Sequence, residues 1–196
     1  RVDINALATS QTNLSDIEGA LGRGVRLGTI VVTVDGNSAN IDLTNAKTLG
    51  DLTTRVNDAV NNLDPAAGSL AIVGSGFELT ANPGHTIQIS DSGKGKAAQD
   101  LGISITANAS VVTGSDLNPK LTELTDVAQF GAAVNLAGGL KITQGGVTKI
   151  ADFSGAQTVQ DMMNVIDQLD LGLKLVISED GSSLDIVNLV SGVDLS

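Results

Sequence analysis

Apolar and polar residues alternate along four stretches of this 196-residue chain, and turn-forming residues interrupt each stretch near its middle. Alternation with a period of two is typical of strands that bury one face. Glycine-containing turns between two such runs predict β-hairpins. The sequence therefore predicts four hairpins, which turn at Asp35-Gly36, near Gly74–Gly76, at Gly145-Gly146 and at Asp180-Gly181.

A helix is predicted between the two hairpins of each half, because the apolar spacing changes there from two to three or four residues. Threonine begins each predicted helix and offers its hydroxyl to the amide three residues on, where an aspartate also suits the helix dipole. These capping pairs are Thr48 with Asp51 and Thr158 with Asp161. The apolar stripes are Leu49, Leu52, Val56 and Leu63 in one half and Val159, Met162, Ile166 and Leu169 in the other.

The second half repeats the first at a shift of 110 residues, and the comparison needs no gap from Thr12 to Leu52. The shift places Thr48 on Thr158, and it also places Leu14 on Leu124. We infer two copies of one unit, residues 1–110 and 111–196, and expect the second copy to be cut short at its C-terminal end. Residues 105–123 are expected to join the copies, with a turn at Asn118-Pro119.

Each copy is predicted to form a ββαββ module, a mainly antiparallel sheet with one helix packed on it, which gives an α+β fold class. The first copy adds a strand at "HTIQIS" and the segment "AAQDLGIS" after it. In the link before the first hairpin, the spacing of Leu14, Ile17 and Leu21 indicates a short helix.

Composition changes this picture mainly by excluding functions. The chain is 41% hydrophobic but only 2% aromatic, so its core depends on Val, Ile, Leu and Ala. A formal charge of −11 argues against nucleic acid and against anionic membrane surfaces, since both need an excess of Lys and Arg. No apolar run is long enough to span a bilayer. The absence of cysteine excludes disulfides and thiolate metal sites.

Candidate chemistry is sparse. His85 is the only histidine and follows a Pro-Gly turn, so we interpret it as a surface residue that starts a strand rather than as a base or ligand. With one histidine and no cysteine, nucleophilic triads lack material. We therefore predict no catalytic, cofactor-binding or metal-binding residue, no cofactor, and no enzymatic activity.

Four further motifs have structural interpretations that we favour over functional ones. The acidic turns "VDGNSANID" and "SEDGSSLD" come nearest to calcium loops but lack the full spacing. The stretch "GRGVRLG" is not followed by the GK[ST] of a phosphate loop. Lys94 and Lys96 are assigned to a solvated loop. Glycosylation sequons occur at Asn13 and Asn108 and are weak signals in a bacterial protein.

Both copies resemble the hook-type repeat of bacterial flagellins and flagellar hook-associated proteins. The shared pattern is a hairpin, a Thr-capped helix that carries an Ile-Asn pair, and an "LGI" ending. Val56-Asn57 matches the pair, Ile166-Asp167 departs from it, and "AAQDLGI" at 97–103 matches the ending. The resemblance covers nearly the whole chain, and the hook–filament junction members are the most similar.

The resemblance implies an extracellular structural protein of the bacterial flagellum, exported unfolded and assembled with other flagellar subunits through helices outside this chain. The chain would be the variable, outward-facing middle region, and we expect it to be monomeric on its own. A variable domain of flagellin or of the filament cap is an alternative within the family. An extracellular adhesin-like binding module is the alternative outside it.

Overall fold

The computed structural model describes residues 2–4, 6–131 and 134–190. Its helices are α1 (Leu49–Leu63), α2 (Ala97–Asp100) and α3 (Val159–Asp167), with single 3-10 turns at Leu14–Asp16 and Val127–Gln129. Its strands are β1 (Val2–Asp3), β2 (Thr29–Val34), β3 (Asn37–Asp42), β4 (Gly68–Val73), β5 (Gly76–Ala81), β6 (Thr86–Asp91), β7 (Thr106–Asn108), β8 (Val111–Asp116), β9 (Leu140–Gln144), β10 (Val147–Ala151), β11 (Leu173–Ile177) and β12 (Ser183–Asn188).

The fold is α+β, as predicted, and the described strands pair antiparallel. All four predicted hairpins form: β2–β3, β4–β5, β9–β10 and β11–β12. The chain divides into two compact units. The first unit is Leu7–Pro119, and the second combines Arg1–Ala6 with Lys120–Ser196.

The first unit contains two sheets rather than the single sheet that the sequence predicted. One sheet has the strand order β3-β2-β6-β7 and the other has the order β4-β5-β8. Helix α1 contacts strands of both sheets. Its four buried apolar residues therefore enter one aliphatic core with the inward faces of β2, β5 and β6; they are Leu49, Leu52, Val56 and Val60.

The second unit is built on the same plan with fewer strands. Strands β9 and β10 form a two-stranded sheet, and β1, β12 and β11 form a three-stranded one. Helix α3 buries Val159, Met162 and Ile166 and packs on β11. The core is again mainly aliphatic, with Phe130 and Phe153 as its aromatic members.

The predicted boundary after residue 110 is wrong. Strand β8 begins at Val111 and pairs with β5, so the first unit continues to Pro119. The segment 105–123, expected to join the copies, therefore lies mostly inside the first unit. At the other end, β1 pairs with β12 and belongs to the second unit. Neither pairing leaves a local sequence signal, because both join strands that are distant in the chain.

The shift of 110 residues holds from the hairpin to the helix but not in the link before it. The Leu49 amide donates to Thr12 O, and the Val159 amide donates to Thr125 O, both at 3.0 Å. These bonds place Thr12 opposite Thr125, a shift of 113. Leu14 accordingly is 7% exposed whereas Leu124 is 83% exposed, so the ungapped comparison paired residues that are not equivalent.

The link itself contains a 3-10 turn rather than the expected short helix through Leu21. The turn at Leu14–Asp16 ends at Ile17, whose backbone is extended, and Leu21 is exposed. The turn at Val127–Gln129 occupies the matching place in the second unit.

The predicted helix caps are confirmed in both units. Thr48 accepts a hydrogen bond from the Asp51 amide at 3.1 Å, and the Asp51 carboxylate accepts from the Thr48 amide. Thr158 and Asp161 form the same capping box. The amides that bond each aspartate lower the pKa of both carboxyl groups. Each cap thus satisfies amides that a helix start otherwise leaves free.

The Val56-Asn57 pair joins helix α1 to strand β4. Val56 is fully buried, and the Asn57 amide group makes two hydrogen bonds with the backbone of Leu70. Asn57 Nδ2 donates to Leu70 O at 2.9 Å, while Asn57 Oδ1 accepts from the Leu70 amide at 2.8 Å. A carboxylate can accept the second bond but cannot donate the first. Asp167, which occupies this position in the second unit's sequence, is therefore not a conservative replacement.

We predict that Asn57→Asp lowers the free energy of unfolding by about 1–3 kcal/mol, because it faces the Leu70 carbonyl with a carboxylate and removes the only donor. Urea denaturation followed by circular dichroism measures the change. Asn61→Asp is the matched control, since Asn61 is exposed on the same helix and the charge change is identical. Equal losses in the two variants would contradict the role assigned to Asn57.

Candidate functional site

Three ionisable side chains meet at one end of the first unit. Asp35 lies in the β2–β3 turn, His85 immediately precedes β6, and Asp64 follows the last residue of α1. His85 Nδ1 lies 2.7 Å from Asp35 Oδ2 and 3.8 Å from Asp64 Oδ2. They come together because β6 pairs with β2, which brings residue 85 beside residue 35.

Hydrogen bonding stabilises the charged forms within this cluster. Asp35 Oδ1 accepts from the Thr86 amide at 2.8 Å, and this bond together with the one from His85 lowers the pKa of Asp35. The bond to Asp35 and the nearby charges raise the pKa of His85. The geometry is that of an ion pair between an imidazolium and a carboxylate, which ties the hairpin turn to the start of β6.

The same three residues form the one group of potential metal ligands found in the described part of the chain. One donor atom from each lies within 4.8 Å of the others. A nitrogen and two carboxylate oxygens suit a divalent ion such as zinc. The sequence reasoning missed this cluster, because it treated His85 alone; the signal available was the Asp35 turn at the end of the strand that β6 joins.

We predict that His85→Gln destabilises the protein below about pH 6.5 and has little effect near pH 9. The raised pKa of His85 means that its contribution is fully present below the ordinary imidazole pKa and is lost as the pH rises through the folded-state value. Thermal unfolding of both proteins across this range measures it. In an Asp35→Asn background the pH-dependent difference should shrink; a difference that is constant with pH would contradict the ion pair.

A second polar cluster surrounds Asp100, which is fully buried at the end of α2. Arg26 Nε donates to Asp100 Oδ2 at 2.8 Å and Nη2 donates to Oδ1 at 3.0 Å, while the Arg26 amide adds a bond of 3.2 Å. Arg23 Nη2 lies 3.5 Å from Oδ1. The bonds from Arg26 lower the pKa of Asp100 although burial opposes this.

The clamp explains the "GRGVRLG" stretch, for which the sequence suggested no partner. Its two arginines bind a carboxylate of the same unit, and the loop closes further through the Ala20 amide, which donates to Asp100 O at 2.8 Å. A bidentate guanidinium–carboxylate pair fixes orientation as well as distance. The "AAQDLGI" segment is thereby attached to the loop that leads into β2.

We predict that Asp100→Asn lowers the free energy of unfolding by about 1–3 kcal/mol at neutral pH, because it weakens the hydrogen bonds from Arg26. The lowered pKa of Asp100 means that the carboxylate's contribution is lost as the pH falls through its folded-state value, so the difference from wild type should shrink in acid. Urea titrations between about pH 7 and pH 3 measure this. Asp58→Asn, at an exposed site on α1, should change stability little at any pH.

The other motifs from the sequence occupy surface turns. Lys94 and Lys96 are exposed between β6 and α2, as predicted, and the sequon residues Asn13 and Asn108 are exposed as well. In the acidic turn of the fourth hairpin, Asp180 Oδ1 accepts from the hydroxyls of the two flanking serines and from the Ser182 amide. This carboxylate therefore serves the turn.

The second unit contains an open apolar groove of about 440 Å³. It lies between α3, the start of β9, and strands β11 and β12. The apolar side chains that line it include Phe130, Leu140, Phe153, Met162, Leu184 and Ile186. No helix in the described residues combines the length and the hydrophobicity that crossing a bilayer requires.

Comparisons of this chain with protein-family models, with curated proteins and with solved structures find no match.

Proposed function

We propose that this chain is a structural, non-catalytic part of the bacterial flagellum, namely the surface-exposed middle region of a hook-associated protein of the hook–filament junction type. Its place is extracellular, and its partners are other flagellar subunits, to which it is joined through parts of the protein outside these units. It contributes bulk and an acidic, outward-facing surface.

The observation that carries the proposal is the use made of the residues that bear the resemblance. Thr48 and Asp51 cap a helix, Val56 fills the core, and Asn57 bonds the backbone of β4. Asp100, within the "LGI" segment, is held by Arg26 inside the unit. Residues that serve the fold in this way suit a building block that is repeated along one chain.

The second unit supports the same interpretation. Its capping box and its hairpin pairing repeat those of the first unit, including a threonine hydroxyl pair across the hairpin, Thr143 with Thr148 in place of Thr33 with Ser38. Tandem modules of one plan are typical of proteins that build length and surface rather than a single site.

Immunogold electron microscopy tests this proposal. We expect antibodies raised against residues 1–196 to label intact flagella of the source bacterium at the boundary between hook and filament. Antibodies adsorbed beforehand with the purified chain should give no label, which is the control for specificity.

The position of the label separates the alternatives. Label along the filament would assign the chain to flagellin, and label at its tip would assign it to the cap. Label on the cell surface of bacteria without flagella would contradict the flagellar proposal and support an adhesin-like module.

A further inference from the structure

Strand β2 of the first unit has a hydrogen-bonded neighbour on each side. Strand β3 pairs with one edge and β6 pairs with the other, in the register Val32 to Ile89 and Val34 to Ile87. The Asp35 amide donates to Thr86 O, and the Ser92 amide donates to Thr29 O, so the odd-numbered residues 29 and 35 face β6. The core behind β2 is closed by Ile87, Ile89, Leu101 and Ile103, all fully buried.

Strand β9 is the equivalent of β2 and has only one such neighbour. Among the described residues it pairs with β10 alone, through the closing pair Gln144–Val147 of a two-residue turn. This turn directs the backbone groups of the even-numbered residues of β9 toward β10. The backbone N–H groups of Lys141 and Thr143 therefore point to the open edge, as those of residues 31 and 33 point to β6.

Burial confirms that a layer present in the first unit has no counterpart over β9. Ile30 is 0% exposed, whereas its equivalent Leu140 is 40% exposed. Leu140 lines the apolar groove together with Phe153 and Met162, which are equivalent to the fully buried Leu43 and Leu52. The groove thus lies where the first unit is covered by β6 and by the "AAQDLGI" segment.

Gln144 adds a second, independent observation. It replaces Val34 at the position that faces Ile87 in the first unit, and it is only 5% exposed. Its Nε2 donates to Asn188 Oδ1 at 2.9 Å, but its Oε1 has no hydrogen-bond partner among the described residues. A buried acceptor without a donor is unfavourable, so this position favours an incoming group that can donate.

We propose that the open edge of β9 and the groove beside it bind an extended segment of another polypeptide. The segment pairs antiparallel with β9, carries aliphatic side chains at alternate positions and a hydrogen-bond donor opposite Gln144, and ends in a small apolar turn similar to "AAQDLGI". The chain's own β6 is not available in any copy, because it lies between β2 and β7. This mode of strand addition concerns the module itself and does not depend on the flagellar assignment.

A synthetic peptide with the sequence of residues 85–103 is the probe. We expect it to bind the full chain in fluorescence anisotropy titrations, and we expect amide hydrogen exchange to slow at Lys141 and Thr143 on binding. Protection confined to strand β2 would show exchange with the first unit's own strand and would overturn the proposal.

Lys141→Pro tests the edge directly, because proline removes an N–H that faces outward and leaves the bonds to β10 in place. It should weaken peptide binding by at least about tenfold, whereas Lys141→Ala should stay within about twofold. A peptide with Ile87→Asp and Ile89→Asp should not bind, and this result needs no change in the protein. Equal binding of both peptides, or edge-to-edge dimers of the chain in sedimentation that Lys141→Pro abolishes, would overturn the proposal.

The role of Gln144 is tested by exchanging partners. A peptide with Ile87→Thr should bind wild type more tightly than the parent peptide by about threefold to tenfold, because the hydroxyl can donate to Gln144 Oε1. In Gln144→Val the preference should reverse. Preferences that do not change between the two proteins would overturn the assignment of Gln144 as the residue that selects the segment.

Discussion

The two-sided pairing of strand β2 is the constraint on which the first unit depends. With three phenylalanines as the only aromatic residues of the chain, the core is assembled from small aliphatic side chains, each of which contributes little area. Such a core needs a complete wall. Pairing of β2 with both β3 and β6 provides it, and Ile30, Val32 and Val34 are consequently all buried. The same pairing brings His85 to Asp35 and so positions the polar cluster at the end of the sheet.

Features set by local sequence were predictable, and features set by distant pairing were not. The hairpin turns and the two capping boxes depend on residues within four positions of one another, so their patterns are visible in the chain. The pairing of β8 with β5 and of β1 with β12 depends on strands far apart, and the predicted boundary at residue 110 was wrong for that reason. The single predicted sheet was wrong because alternation identifies strands but does not say which strands are neighbours.

The link before each hairpin shows how a repeat comparison can mislead. The second unit has three fewer residues between its 3-10 turn and its hairpin, a change that a surface loop tolerates readily. The shift of 110 was right for hairpin and helix and was extended past this deletion, where Thr12 and Thr122 coincide by chance. The polar clusters were missed for a related reason: Arg26 and Asp100 are 74 positions apart, and only the fold places the guanidinium against the carboxylate.

The two units differ where one plan has been adapted to two surroundings. Val34 and Gln144 occupy the same register position, next to a hairpin turn and on the inward face, yet only the valine has an apolar strand opposite it. In the second unit a glutamine is buried against Asn188 while its carbonyl oxygen lacks a donor, and Leu140 at the other end of the strand is partly exposed. Both deviations lie on the inward face of β9, whose outer edge carries the open backbone groups. A unit that completed its own core would favour valine at position 144, so the polar residue there indicates a strand edge adapted to a partner.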